Sequence, residues 1–331
     1  MIQRSSSQSN IIQAEVLKTL MDSRGRRAAI GKISSSTGLS RKAIKEAIEE
    51  LRSSGIHIDS RKGYEIASLP HSIPAPLFLS GLKSRVIGRE VYSYKTIGST
   101  NETARRMAES GAPEGTIVLS DRQTQGRGRL GRSWHSPAGL GLYFSLILRP
   151  RIPFDKVPAL SLVAALSVCR VTDRLAGLDS MIKWPNDCLI GSRKMAGILV
   201  EVSAELDRLS YAILGIGINI NHREKDFPSE LRSMATSIAI EAGRSIDRVG
   251  FLQKLIYEFE KSYNNFTRYG LRLIGPELVE RSTIINRDIT VRVGKKKISG
   301  RAVGLDQNGA LRMLTEDGAR IISAGEVSLR G

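Results

Sequence analysis

The spacing of apolar residues predicts three short helices and a hairpin at the start of the chain. Apolar side chains recur every three or four positions over residues 11–20, 30–33 and 43–51, which is the period of a helix with one buried face. Residues 56–58 and 64–66 alternate instead, and the Ser-Arg-Lys-Gly between them is typical of a turn. Three helices followed by a two-stranded ribbon are the elements of a winged helix-turn-helix.

The third predicted helix carries the residues that we expect to contact DNA. A residue suited to an N-cap precedes this helix, and the first turn of the helix is basic and would enter a major groove. The basic tip of the hairpin would contact phosphates. The predicted DNA-binding residues are Ser40, Arg41, Lys42, Lys45, Arg61 and Lys62. The alternative is a three-helix unit that binds protein, because a lysine-rich helix face is often only solvated.

A proline-rich stretch, residues 69–77, is predicted to be a linker that leads into a long α/β region. Strand-like runs occupy residues 115–120, 142–148, 181–183, 197–202 and 211–220, and helix-like runs occupy residues 101–110, 160–175 and 249–269. Strands and helices are interspersed, so this region is predicted to form a mixed α/β sheet.

The chain ends in short strand-like runs joined by turns rich in glycine, aspartate and asparagine. These runs occupy residues 289–293, 296–303, 310–314 and 320–323. The pattern predicts a small β-barrel. The predicted fold class is therefore α+β and multidomain, with domains 1–68, 69–281 and 282–331.

Charge is the first indication of partners. The 331 residues carry a net charge of +17, divided as +5, +7 and +5 over residues 1–69, 70–280 and 281–331. A basic chain favours polyanions such as nucleic acids and nucleotide phosphates.

Several classes of protein are disfavoured. No apolar run reaches the length of a membrane-spanning helix, and the first residues lack the apolar stretch of a secretory signal. Only two cysteines occur, Cys169 and Cys188, and the four histidines lack the spacing of a zinc site. We therefore expect a cytoplasmic protein with no disulfide framework, no membrane partner and no metal held by its own side chains alone.

A glycine- and arginine-rich segment, Gly-Arg-Gly-Arg-Leu-Gly-Arg at residues 126–132, is predicted to be an anion-binding loop. Glycines let the backbone approach a ligand closely, and arginines bind phosphate or carboxylate with paired hydrogen bonds. The alternative is an RGG-type contact with RNA, which a short, single segment between two strand patterns fits less well.

Two further motifs lie in the α/β region. Lys-Trp-Pro-Asn-Asp at residues 183–187 is an unusual sequence for a simple turn, and Lys194 follows it at the start of an apolar strand. A lysine there is placed to neutralise a carboxylate or an α-phosphate, although such a lysine is more often only solvated. Gly-Ile-Gly-Ile-Asn-Ile-Asn at residues 215–221 lies within a strand, and its glycines leave room for a ligand or for close packing.

The chain resembles the biotin protein ligases, and the resemblance rests on motifs in a specific order. They are GSTNETA, QTQGRGRLGRSWHSPAGLGLYFSL, KWPNDCLI, SRKMAGILVE, GIGINI and DQNGALRMLTEDGARIISAGEVSLRG. The segments SRKAIKEAIEELRSSG and KGYEI extend the resemblance to the bifunctional members of the family, the biotin operon repressors.

The resemblance implies a fold and an activity. The fold would be a winged helix, a central mixed sheet of the biotin/lipoate ligase type and an SH3-like barrel. The activity would be formation of biotinyl-5′-AMP from biotin, ATP and Mg²⁺, then transfer of biotin to a lysine of a biotin carboxyl carrier protein such as that of acetyl-CoA carboxylase. Biotinyl-5′-AMP would also act as corepressor, inducing a homodimer that binds operator DNA.

The same resemblance implies roles for named residues. The ureido end of biotin is expected to meet Ser99, Thr100, Asn101 and Gln123. Arg127, Gly128 and Arg129 would close over the valerate chain and the adenylate, and Lys194 would contact the biotin carboxylate and the α-phosphate. The expected catalytic residues are Lys194, Arg129 and Asp187. Asp187 either helps to hold Mg²⁺ or accepts a proton from the carrier lysine, and the sequence leaves both roles open.

Other functions fit parts of the sequence. A biotin-sensing regulator without catalysis would have no need of Lys194, Arg129 and the KWPND segment. A lipoate ligase shares the central fold and the adenylating chemistry, but the GRGRLGR and KWPND pair and the terminal barrel favour biotin. A structural nucleic-acid-binding protein rests on charge alone.

Overall fold

The computed structural model describes residues 7–23, 25–205 and 208–329. Its first part contains α1 (Ser7–Asp22), α2 (Ile30–Thr37), α3 (Arg41–Ser53), β1 (His57–Asp59) and β2 (Glu65–Ser68). Gly38 ends α2 with a φ of 72°, a conformation that glycine adopts without strain. Ser40 caps α3 by accepting a hydrogen bond from the backbone N–H of Ala43. The three helices and the antiparallel strand pair therefore lie where the apolar spacing predicts them.

The predicted linker is wrong for most of its length, because residues 73–78 pack into the protein. Pro74 and Pro76 start a helix, α4 (Ala75–Leu79), since the fixed φ of proline suits a first helical turn. Leu77 is buried in the core of the N-terminal helices, whereas Phe78 is buried in the core of the central sheet. This short helix therefore joins two hydrophobic cores.

A seven-stranded mixed sheet forms the centre of the chain. In the order of the sheet its strands are β3 (Val91–Ile97), β4 (Ile117–Gln123), β5 (Gly141–Leu148), β9 (Arg208–Asn219), β8 (Arg193–Glu205), β7 (Asp187–Ile190) and β6 (Ser180–Lys183). The first pair is parallel and every other pair is antiparallel. The prediction of a mixed sheet is correct, but the sequence analysis missed β3 and β7.

The two faces of this sheet are covered differently. The helices are α5 (Thr100–Glu109), α6 (Ala159–Ala176), α7 (Ile238–Ala242), α8 (Arg248–Tyr269) and α9 (Gly275–Glu280). The main core lies beneath α6 and α8, and α6 is apolar around most of its circumference because it is buried there. On the opposite face, α5 covers a smaller cluster that includes Ile213. Gly215 and Gly217 follow Ile213 at the period of a strand, so they open this second face beside the start of α5.

The end of the chain is a five-stranded antiparallel sheet. In sheet order its strands are β13 (Gly318–Ile322), β12 (Leu311–Thr315), β11 (Lys296–Leu305), β10 (Asp288–Val293) and β14 (Glu326–Leu329). Trp184 joins it to the central sheet, since the indole Nε1 donates a 3.0 Å hydrogen bond to the carbonyl of Gly309. Ile289 and Leu311 also belong to the main core, so the two sheets share one hydrophobic interior.

Cys169 and Cys188 are both buried and both free thiols. Among the helices of the described residues, none combines the length and the hydropathy that crossing a bilayer requires.

Candidate active site

A cleft of about 650 Å³ opens on the face of the central sheet that Gly215 and Gly217 expose, and the C-terminal sheet forms its far wall. The cleft brings together every residue that the sequence predicted for biotin binding and catalysis. These are Ser99, Thr100, Asn101, Gln123, Arg127, Gly128, Arg129, Asp187 and Lys194.

One end of the cleft is a buried hydrogen-bonded group at the start of α5. Gln123 accepts hydrogen bonds through Oε1 from the backbone N–H and the hydroxyl of Thr100, at 2.8 and 3.1 Å. Asn101 donates from Nδ2 to Glu201 at 2.7 Å, and the Ser145 hydroxyl donates to its Oδ1 at 2.6 Å. These contacts fix the amide orientations, so the end of the cleft presents a preorganised set of donors and acceptors.

Ser145 and Glu201 were not among the predicted site residues. Ser145 is the polar residue in the otherwise apolar strand Gly-Leu-Tyr-Phe-Ser-Leu-Ile-Leu, and it is fully buried. A buried polar side chain needs a hydrogen-bond partner, so its position in that strand was the available signal.

The strand glycines make room for side chains of the site. A Cβ at Gly215 would collide with the amide of Asn101, and one at Gly217 would collide with the indole of Trp134. The Trp134 ring lies across the sheet and stands 5.3 Å from the ammonium of Lys194, within range of a cation–π contact. At these two positions the glycines allow close packing of Asn101 and Trp134, and both glycines also line the cleft.

The arginine-rich loop is folded across the cleft, and its three arginines contact three different segments of the chain. Arg127 lies 3.8 Å from Glu102 of α5, Arg129 donates a 3.0 Å hydrogen bond to Asn186, and Arg132 forms an ion pair with Glu326 of β14. Leu130 at the tip has a φ of 56° and an exposed side chain.

Lys194 and Asp187 form an ion pair in the centre of the site. Their strands are hydrogen-bonded neighbours, and the Lys194 Nζ lies 2.7 Å from Asp187 Oδ1. Burial lowers the pKa of Arg129, and the charge of Asp187 opposes that shift. An arginine remains protonated at neutral pH in any case, so Arg129 and Lys194 present two cations to the cleft.

A second cavity, of about 710 Å³, meets the first at this ion pair. Both cavities are lined by Trp134, Lys183, Asp187 and Lys194. Much of the remaining wall of the second cavity is apolar and includes Leu189, Phe227, Leu231, Met234 and Ile284. Met234 lies in the segment after β9. The backbone N–H of Lys194 donates a 2.8 Å hydrogen bond to the carbonyl of Met234, so this segment is fixed to the wall of the cavity. The ion pair therefore lies at the junction of two cavities, of which the second has the more apolar wall.

The side chains of the cleft would bind Mg²⁺ only together with a phosphate ligand. Among the described residues, no group of three or more histidine, cysteine, aspartate or glutamate side chains could hold a metal ion. Asp187 Oδ1 is buried and accepts no hydrogen bond, apart from its ion pair with Lys194. One carboxylate with phosphate oxygens and water is a usual Mg²⁺ environment, so the site fits Mg²⁺ that arrives with a nucleotide.

The buried His222 leads to a prediction about pH. It is fully buried, stacks on Phe227 and lies 3.2 Å from the hydroxyl of Tyr143. Its pKa falls from 6.5 to about 4, first because of burial and then because of His135; Arg248 adds to the shift and Asp226 opposes it.

The folded state thus favours a neutral imidazole at position 222, so this stabilisation is present above pH 6.5 and is lost as pH falls towards 4. The loss should reach roughly 3 kcal/mol at most. His222→Gln should remove this part of the pH dependence in urea unfolding between pH 7.5 and 5, whereas His57→Gln, at an exposed histidine, should not. An unchanged pH slope in His222→Gln would contradict the assignment.

The predicted DNA-binding residues lie on the surface of the N-terminal helices and hairpin. Arg41, Lys42 and Lys45 are exposed on α3, and Arg61 and Lys62 are exposed at the hairpin turn. The hydroxyl of Ser40 serves as the cap of α3. Arg61 pairs with Asp59 at 3.1 Å, and hydrogen bonds from Arg27 and Arg61 hold the pKa of Asp59 well below its usual range. The basic character of the turn is therefore partly balanced within the hairpin.

Comparison with known families gives two matches along the chain. Residues 93–219 match the Biotin/lipoate A/B protein ligase family, and residues 284–330 match the Biotin protein ligase C terminal domain. The two matched segments cover most of the central sheet and of the terminal strands described above.

The chain is also similar to individual proteins. It is 40% identical over 300 residues to the bifunctional ligase/repressor BirA of Bacillus subtilis, covering 90% of this chain and 92% of that protein. It is 31% identical over 298 residues to the BirA of Escherichia coli, covering 88% and 90%. Among solved structures, the biotin protein ligase from Aquifex aeolicus in complex with biotin and ATP superposes with a TM-score of 0.64 at 35% identity, covering 73% of this chain and 98% of that one.

Proposed function

The chain belongs to the biotin protein ligase family, and on that premise we propose how its residues carry out the reaction. It is an ATP-dependent ligase that forms biotinyl-5′-AMP and transfers biotin to a lysine of a biotin carboxyl carrier protein, and it is also a repressor of the biotin operon. The observation that carries the residue-level proposal is the Lys194–Asp187 pair at the junction of the two cavities.

Biotin would bind in the first cavity with its ureido ring at the start of α5. The donors and acceptors of Thr100, Asn101 and Gln123 suit a cyclic urea, which has two N–H donors and one carbonyl acceptor. Ser99 lies in the same wall and is buried. The valerate chain would then run along Trp134 towards Lys194, which supplies a cation for the carboxylate.

The nucleotide would bind with its base in the second, apolar cavity. The α-phosphate would then reach Lys194 from the side opposite to biotin, so the two reacting groups meet at one ammonium. Mg²⁺ bound with ATP supplies positive charge to the triphosphate, and Asp187 is the side chain that would hold it. Asp187 as the acceptor of a proton from the carrier lysine is the other possible role, and both fit its position beside Lys194.

In the first step, a carboxylate oxygen of biotin forms a bond to the α-phosphorus, and the bond to the bridging β-phosphate oxygen breaks. Two anions must approach each other, so Lys194 and Arg129 would lower the barrier by offsetting their repulsion and the charge that develops on the α-phosphate. In the second step the carrier amine forms an amide with the acyl carbon, AMP leaves and the amine loses a proton.

The loop of Arg127, Gly128 and Arg129 would cover the intermediate. A mixed anhydride hydrolyses in water, so a cover over it protects the product of the first step until the carrier arrives. The contact from Arg129 to Asn186 supports this role because it holds the loop across the cleft.

The outer units would be a winged helix over residues 1–68 and an SH3-like barrel over residues 282–331, with the catalytic domain at 69–281. The helix order, the capped α3 and the hairpin support the first, and the five-stranded antiparallel sheet supports the second. Of these ranges, residues 1–6, 24, 206–207 and 330–331 lie outside the described part of the chain.

Repression would use a homodimer that biotinyl-5′-AMP induces on operator DNA. Two copies of α3 and of the hairpin would match two half-sites, and ligand control follows if the intermediate binds the dimer-competent form more tightly. The DNA-contacting residues would be Ser40, Arg41, Lys42, Lys45, Arg61 and Lys62. We place this function in the cytoplasm, where the operator and the carrier protein are found.

A band-shift assay on DNA upstream of biotin-synthesis genes tests the repressor model. Biotin with MgATP should increase operator binding about tenfold or more, and Arg41→Ala with Lys42→Ala should weaken binding and reduce its salt dependence by about two phosphate contacts. Lys18→Ala, on the exposed side of α1, serves as the control. Binding that does not respond to the ligand would refute the regulatory model.

Biotin-dependent exchange between pyrophosphate and ATP tests the ligase against the other candidates. Exchange that requires biotin and that lipoate neither supports nor inhibits is the expected result. A regulator without catalysis would show no exchange, and a lipoate ligase would show exchange with lipoate.

A further inference from the structure

The far wall of the first cavity carries a row of charged residues that the proposed mechanism does not use. Arg292 of β10 is the cross-strand neighbour of Lys297 of β11 on one side and of Glu326 of β14 on the other. All three side chains line the cleft. The row runs Glu326, Arg292, Lys297 across three adjacent strands of the C-terminal sheet.

Positive charge exceeds negative charge in this row. Two cations directly opposite each other on neighbouring strands repel, so an Arg292–Lys297 pair costs stability unless an anion lies against it. Glu326 supplies one carboxylate, but it forms ion pairs with both Arg292 and Arg132 of the arginine-rich loop. One carboxylate therefore serves two arginines, and Lys297 makes no ion pair within the described residues.

The whole cleft has the same imbalance. Seven lysine and arginine side chains line it against two acidic ones, Asp187 and Glu326. Asp187 is paired with Lys194, and Lys183 lies beside them on the central sheet, so most of the cationic excess falls on the loop and on the C-terminal wall. Such an excess, enclosed in a cleft, attracts a ligand with several negative charges.

We propose that Arg292 and Lys297 bind the two terminal phosphates of ATP and the pyrophosphate that leaves, and that Glu326 acts as an internal counter-anion, holding Arg132 and Arg292 until the nucleotide displaces it. This inference rests on the proposed function, because it assumes that the α-phosphate lies at Lys194. The β- and γ-phosphates then extend away from the ion pair, and the basic row is on the remaining wall of the same cleft. Arginine recognises phosphate with paired hydrogen bonds, and each lysine adds a compact charge.

The first test compares two double variants of one hairpin. Arg292→Ala with Lys297→Ala removes the cations that line the cleft, while Lys295→Ala with Lys296→Ala removes exposed cations that do not line it. In the exchange assay the first variant should raise the KM for ATP and for pyrophosphate about tenfold or more, and the control should stay near wild type. Binding of biotin and of biotinyl-5′-AMP, which lacks the terminal phosphates, should change in neither.

The second test removes the counter-anion. Glu326→Gln keeps a side chain of similar size, and it frees both arginines for phosphate. We expect the KM for ATP to fall about threefold, with unchanged biotin binding. An unchanged or raised KM for ATP would overturn the role of Glu326.

The outcomes separate this inference from the function on which it rests. Wild-type protein without biotin-dependent exchange would refute the proposed function. Normal exchange in the wild type, with the KM for ATP and pyrophosphate unchanged in a folded Arg292→Ala, Lys297→Ala variant, would refute only the inference. A raised KM for the carrier protein alone would instead assign the row to an acidic protein surface. If the Arg292→Ala, Lys297→Ala variant has a much lower Tm than the wild type, the single variant Lys297→Gln takes its place in the comparison. This substitution changes only an exposed side chain.

Discussion

Replacing Lys194 with alanine should lower the rate of biotinyl-5′-AMP synthesis about a thousandfold, the range found when one preorganised electrostatic donor is removed from an active site. The ammonium lies between the two cavities, where the biotin carboxylate and the α-phosphate would meet. Its loss also leaves Asp187 without its counter-charge, so the variant would add an unbalanced anion beside two anionic substrates. Biotin-dependent pyrophosphate exchange measures the effect directly.

The matched control is Lys95→Ala, which removes an exposed lysine from β3 of the same sheet. It should retain exchange at the wild-type rate. Both variants should still fold, because neither lysine contributes to the buried core, and Lys194→Ala should melt somewhat below the wild type because Asp187 loses its ion-pair partner. Exchange by Lys194→Ala within tenfold of the wild type would refute the role given to this residue.

Replacing Arg129 with glycine should make the ligase label proteins that are not its carrier. The arginine links the loop to Asn186 across the cleft, so without it the loop would cover the intermediate less often. Released biotinyl-5′-AMP reacts with any exposed lysine, and labelling of a bystander such as serum albumin should rise about tenfold or more. Labelling is measured by avidin blot with the carrier and the bystander in one reaction.

Leu130→Gly is the control for this experiment, because it places a glycine in the same loop without changing its charge. Leu130 is exposed and has a positive φ, so glycine is tolerated there. This variant should keep the selectivity of the wild type. Unchanged selectivity in Arg129→Gly would refute the proposal that the loop protects the intermediate.

The residues predicted for the site line one cleft, whereas some of the elements that carry them were not predicted. The motifs that resemble the family contain all nine predicted residues of the cleft. A position where the backbone must approach a ligand requires glycine, and a position that binds an anion requires a lysine or arginine. Such positions are therefore recognisable within a short segment of sequence. Strand β14 and helix α4 were missed, and their patterns explain why. The strand is short, and the helix begins at Pro74 and Pro76, residues that also suit a linker.

The contacts between distant segments could not be predicted. Glu201 accepts a hydrogen bond from Asn101, which lies 100 residues earlier in the chain, and Glu326 accepts one from Arg132, which lies 194 residues earlier. No local period or spacing encodes such pairs, since they depend on how the sheets are ordered and packed. The collision of Trp134 with any side chain at position 217 is of the same kind, and it explains a glycine that the sequence analysis attributed to either of two causes.

The central claim is that this chain attaches biotin to a carrier lysine through an adenylate. Its most direct test is to incubate the protein with biotin, MgATP and an apo carrier domain, and to record the intact mass of both proteins. The carrier should gain one biotinyl group in a reaction that requires ATP. A carrier with its target lysine changed to arginine should gain none, and the ligase should keep its mass. A folded wild-type protein that leaves the carrier unmodified, or that modifies it with lipoate in place of biotin, would contradict the account.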